Sequence, residues 1–206
     1  RDFQTEDGER LQRFAAVQDV VSDFVVERDG DRIALIVFGS QAYLQTPLTE
    51  DLRTITDLIS QTQVGMAGPH TALGDAIGLS IRTFEASDIE ERVLSLLSDG
   101  ADTASLMSPI NAAEIARQEG VQIYTIAVGD PEGQGENRVD LATLSEIARR
   151  SGGETYFAQD VEGLRGIYAR IDALNQREVQ VLSYRPKTSL AFIPLALAAL
   201  VGTAFV

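Results

Sequence analysis

Arg92-Val93-Leu94-Ser95-Leu96-Leu97-Ser98-Asp99-Gly100 decides how this chain is read. Seven residues, mostly apolar, run straight into an aspartate and a glycine. A short apolar run closed by turn residues suits a strand buried in a parallel sheet. Two more runs share the pattern: Arg32-Ile33-Ala34-Leu35-Ile36-Val37-Phe38-Gly39 and Val121-Gln122-Ile123-Tyr124-Thr125-Ile126-Ala127-Val128. Helical periodicity fills the spaces between them. Phe14, Val17, Val21 and Phe24 make one face of a helix over 11–27, and Leu52, Ile55, Leu58 and Ile59 one over about 50–62. Leu73, Ile77, Ile81 and Phe84 do the same for 72–84. Further helices are expected from Ser108-Pro109 to Gly120, over 140–150, and from Asp160 to about 174, with a short strand at 154–158. Residues 41–46 suggest a short edge strand ended by Pro47, and the first ten residues read as polar loop. Strand and helix in alternation predict an α/β fold, a doubly wound and mostly parallel sheet flanked by helices.

Composition narrows the function. The 206 residues include 31 acidic and 17 basic side chains, a net charge of −14. Phosphate backbones need a basic patch, so nucleic acid is excluded as a partner. There is no cysteine, which removes disulfides and thiolate metal sites. No glycine-rich phosphate loop is present, and the single histidine, His70, has no nucleophile in a recognisable motif beside it. The Gly129–Glu136 stretch has a superficial calcium-loop look, but with Asp130 first the twelfth position is Leu141 rather than glutamate. The chain reads as a non-enzyme.

Two positions stand out for chemistry. Thr71, in Gly68-Pro69-His70-Thr71-Ala72-Leu73-Gly74-Asp75-Ala76, sits where a loop opens a helix, and Asp99 ends a strand. Loops at the carboxyl ends of parallel strands line one crevice where ligands bind. A hydroxyl and a carboxylate meeting there suit a hard divalent cation. Separately, Thr71 suits a helix N-cap and Asp99 an ordinary strand-to-turn residue.

The segments 32–39, 71–77, 93–103 and 121–129 together resemble a von Willebrand factor type A domain, most closely bacterial membrane-anchored members of the Bat type (aerotolerance-related proteins). That resemblance implies a metal-ion-dependent adhesion site holding Mg²⁺ or another divalent cation, with Thr71 as hydroxyl ligand and Asp99 as a carboxylate acting through water. It also implies a protein partner whose carboxylate completes the metal site, an AAA+ ATPase system, and a role in envelope complex assembly or stress tolerance. The family's first strand and its Asp-x-Ser-x-Ser loop have no match here, and Asp102-Thr103-Ala104-Ser105 stands in the wrong context for it. The chain, starting at Arg1, is therefore read as a fragment without its first central strand, binding metal weakly or not at all. The alternatives are a scaffold with a degenerate metal site and a hydrolase- or phosphatase-like α/β enzyme.

The tail changes character. Residues 1–176 are assigned to the domain, 177–188 to a juxtamembrane linker with a β-leaning start, and 189–206 to a truncated transmembrane segment. Those last 18 residues carry no charge. As a helix they reach about 27 Å at 1.5 Å per residue, near the roughly 30 Å hydrocarbon core. Arg185 and Lys187 flank the segment and by charge alone favour a cytoplasmic domain. The resemblance favours a cell-membrane protein with the domain facing the periplasm or exterior.

Overall fold

A computed structural model describes residues 2–4, 10–128 and 139–182. Contacts divide the chain into two compact units, Arg1–Ile171 and Asp172–Val206. In the first, a small antiparallel ribbon, β1 (Asp2–Gln4) with β2 (Arg10–Gln12), precedes helix α1 (Arg13–Val26). The expected polar loop is thus partly strand. Then come β3 (Ile33–Phe38), β4 (Ala42–Thr49), α2 (Leu52–Gln61), α3 (Leu73–Glu85), β5 (Arg92–Ser98), α4 (Pro109–Gln118), β6 (Val121–Val128), α5 (Leu141–Ser151), β7 (Thr155–Ala158) and α6 (Val161–Leu182).

The single doubly wound sheet expected from the sequence is corrected by the pairing. β5, β6 and β7 form a three-stranded parallel sheet in that order, whereas β3 and β4 form a separate antiparallel pair. Among the described residues, β3 pairs only with β4 and β5 only with β6. The consequence shows in burial. Every residue of β3 is only half-buried despite its apolar sequence, and Ser95 at the centre of β5 is exposed. β6, with a neighbour on each side, is buried almost throughout. β4 also runs through Pro47 instead of ending there: the register shifts between Ile33 and Leu35 and again between Leu35 and Ile36, so proline falls where the ladder is irregular and no amide donor is required.

The main core lies between α3, α4 and α5 and one face of the parallel sheet. Leu73, Ile77, Ala112, Ala113, Ala116, Val121, Ile123, Leu144 and Ile147 are fully buried there. Thr125 is buried with them, and its hydroxyl donates to the Leu144 carbonyl at 3.1 Å, so the polar atom is satisfied. A smaller cluster of Val25, Ile55 and Ile59 joins α1 and α2 to β3. Helix ends follow local chemistry: Asp51 caps α2 through the Thr54 amide, Asp140 caps α5 through the Thr143 amide, and Gly152 ends α5 at φ 87°.

The membrane expectation is also corrected. Among the described residues no helix is long and apolar enough to cross a membrane. α6, at 22 residues the longest, carries Glu162, Arg165, Arg170, Asp172, Arg177 and Glu178. Its extension to Leu182 also replaces the expected β-leaning start of the linker. The 189–206 segment lies outside the described residues, as does the 129–138 glycine-containing loop. The cell-membrane localisation and membrane partnership expected from such a segment thus meet no spanning helix among the described residues.

Candidate functional site

Three loops gather where β3 and β5 end and α3 begins. After β3, the Ser40 amide donates to the Ala67 carbonyl at 2.8 Å, and the His70 amide reaches the Ser40 hydroxyl at 3.4 Å. After β5, the 101–107 loop folds against the start of α3. The Thr71 carbonyl accepts from the amides of Thr103 and Ala104 at 2.8 and 3.1 Å, while the Thr71 amide donates to the Thr103 hydroxyl at 3.0 Å.

The start of α3 is capped from outside its own segment. The N-cap position is Ala72, which has no side chain suited to capping, so the expectation of Thr71 as N-cap is corrected. Asp102 Oδ1 accepts from the Leu73 amide at 2.9 Å, and Ser105 Oγ accepts from the Gly74 amide at 2.8 Å. The Ser105 hydroxyl in turn donates to Asp102 Oδ1. In the opposite direction Asp75, in the first turn of α3, accepts from the amides of Leu106 (3.0 Å) and Met107 (3.1 Å). Helix and loop thus satisfy each other's orphan donors. Gly74 allows the close approach, since a Cβ there would collide with the Met107 carbonyl.

Thr71 is half-buried and Asp99 exposed, both in this loop cluster. Among the described residues no hydrogen bond or ion pair engages the Thr71 hydroxyl or the Asp99 carboxylate, and none joins the two. His70 is an exposed loop residue. Asp102, Thr103, Ser105 and Asp75 are the residues that sequence reading missed. Their signal was the non-polar Ala72 at the helix entrance, which requires a cap from elsewhere.

A divalent cation does not fit this donor set. Mg²⁺ demands near-octahedral oxygen coordination. Asp75 and Asp102 Oδ1 already accept from backbone amides, and the Thr71 hydroxyl and Asp99 carboxylate are two ligands where about six are needed. Among the described residues no three His, Cys, Asp or Glu side chains are grouped to hold a metal. The metal-binding adhesion site implied by the resemblance is corrected accordingly.

The sequence and this architecture find a match in known proteins. The von Willebrand factor type A domain family matches residues 7–170. The chain belongs to that family. VWA domains are protein-interaction modules, and membership sets this chain among them and not among enzymes. It is 32% identical over 179 residues to a UPF0353 protein of Mycobacterium sp. (strain KMS), covering 77% of this chain and 53% of that one. It spans about half the length of the curated relatives it matches, 46% and 55% of the first two. Among solved structures, it resembles BatB from Bacteroides thetaiotaomicron, with TM-score 0.68, 23% identity, and 80% of this chain and 89% of that one covered. An aerotolerance-related membrane protein from Bacteroides fragilis gives TM-score 0.66 at 22% identity, over 78% and 87% of the two chains. At these identities the structural likeness concerns the fold.

Proposed function

We propose that this VWA domain is a scaffold that binds a partner protein through the loop face at the ends of β3 and β5, without a bound cation. The observation behind this reading is the interlocked cluster itself. Hydrogen bonds from Ser40, Thr71, Asp75, Asp102, Thr103 and Ser105 hold three loops in one arrangement, and within it Thr71 and Asp99 keep polar groups uncommitted. A preorganised surface loses little entropy on binding, which favours affinity. Thr71 and Asp99 serve here as direct polar contacts to the partner. A place in the assembly of a complex serving stress tolerance is part of the same proposal, supported by the likeness to the aerotolerance-related protein.

Site-specific photo-cross-linking tests it. A photoreactive residue at position 71 or 99, in cells producing the protein, is expected to trap one discrete protein. The same residue at Gln118, on the exposed end of α4, is expected to trap none. The yield should survive chelation of divalent cations. A cross-link abolished by chelator, or equal trapping at all three positions, overturns the reading.

A further inference from the structure

The 101–107 loop carries a feature that capping does not explain. Leu106 is 97% exposed, although its backbone amide is pinned to Asp75 at 3.0 Å. The amide alone completes the exchange of hydrogen bonds with α3, so any side chain would serve structurally. Leucine at this position instead holds an apolar group out in water on a fixed backbone. Met107 follows at 38% exposure, its thioether lying along α3 beside Gly78. The loop leading to Thr71 adds Val64 at 78% and Met66 at 51%. Carboxylates stand at this loop: Asp75 accepts from the Leu106 and Met107 amides and Asp102 from the Ser105 hydroxyl, and the flanking sequence has one sign of charge as far as Arg117. Residues 62–78 and 99–116 contain Asp75, Asp99, Asp102 and Glu114 and no Lys or Arg.

We propose that Leu106 is the apolar anchor of the loop face, and that its partner is a protein with an apolar pocket bordered by Lys or Arg. This rests on the loop face being the interaction surface. Binding energy at interfaces concentrates in a few central side chains that fill pockets, surrounded by contacts that exclude water. A rigidly presented leucine meets that requirement at low entropic cost. The acidic surround steers a basic rim toward it and repels acidic competitors.

The probe is a displayed library of random peptides selected on the purified protein. Selected peptides are expected to combine apolar residues with Lys or Arg and to bind more weakly as salt rises. Leu106→Ser is expected to weaken them by about tenfold or more, Leu106→Met to retain most of the affinity, and Ile115→Ser, at another exposed apolar position, to change nothing. Selection of acidic peptides, recovery of no peptide, or indifference to Leu106→Ser overturns the proposal. Matching thermal melts of the variants show that the fold is intact. In the cross-linking experiment, an undiminished cross-link at position 71 in the Leu106→Ser protein overturns the anchor but leaves the loop face standing. Absence of any cross-link in the unchanged protein removes the loop face, and the anchor with it.

Discussion

β3 and β6 are both continuous apolar strands, yet the fold treats them differently. β6 lies between β5 and β7 and is buried almost end to end, with Val121, Ile123, Ile126 and Ala127 at 0% exposure. β3 has one hydrogen-bonded neighbour among the described residues and is half-buried along its whole length. The packing clusters repeat the contrast. Among the described residues, thirteen buried residues gather around the parallel sheet and α3–α5, against three in the cluster joining α1, α2 and β3. An apolar run states a capacity to be buried. A strand neighbour on each side and helices above and below turn that capacity into burial.

The sharpest way to break the comparison is to truncate one residue in each strand. Ile123→Ala is expected to lose about 2–5 kcal/mol in urea unfolding, and Ile36→Ala in β3 only about 1 kcal/mol. Equal losses would show that the two regions share one core. Gly74→Ala comes next, at about 1–3 kcal/mol by the same measurement, because the added methyl meets the Met107 carbonyl and pushes the 101–107 loop from α3. Asp102→Ala removes the cap given to α3 by a distant loop and is expected to cost about 0.5–2 kcal/mol, with Asp102→Asn retaining most of it. No change in melting temperature for Asp102→Ala would mean that the bond to the Leu73 amide contributes nothing.

Two pH effects sharpen the picture further. Burial raises the Tyr168 phenol to about 12, a hydrogen bond with Ser95 opposing the shift. The folded state therefore keeps its proton while the unfolded state loses it from about pH 10. Stability is complete below pH 10 and falls as pH rises toward 12. Tyr168→Phe should remove that part of the alkaline decline; an unchanged alkaline limb would rule the assignment out. At the acid end, the Thr54 hydroxyl and amide hold the Asp51 carboxylate below its ordinary value. Its capping contribution is present above the ordinary carboxylate range and is lost as pH falls through the lowered value. The Asp51→Asn protein is expected to show a shallower acid limb in a thermal-melt series.

Much of the fold was legible beforehand because helix and strand differ in apolar period. Residues such as Leu73, Ile77 and Ile81 announce a helix whatever they pack against. The misreadings fall where local pattern is weak or a distant segment intervenes. β1 and β2 have three residues each, too few for a period to appear. Pro47 ends a regular strand but not one whose register slips. α6 continues to Leu182 through a stretch that alternates like a strand. At the candidate site, Thr71 and Asp99 were visible as loop residues at strand and helix ends, whereas Asp102 and Ser105 act about thirty residues from the amides they cap.

The sequence by itself determined the alternation of elements, the net negative charge, and the family to which the chain belongs, since each of these is local or additive along the chain. Only the tertiary structure decided that the sheet is divided, that the Asp75 and Asp102 carboxylates accept from backbone amides of a distant segment, and that a pinned loop displays Leu106. Those outcomes depend on which groups meet across about thirty or more residues of chain. A carboxylate that accepts from the amides of a distant segment is oriented by that segment, and no reading of spacing along one segment reveals that engagement.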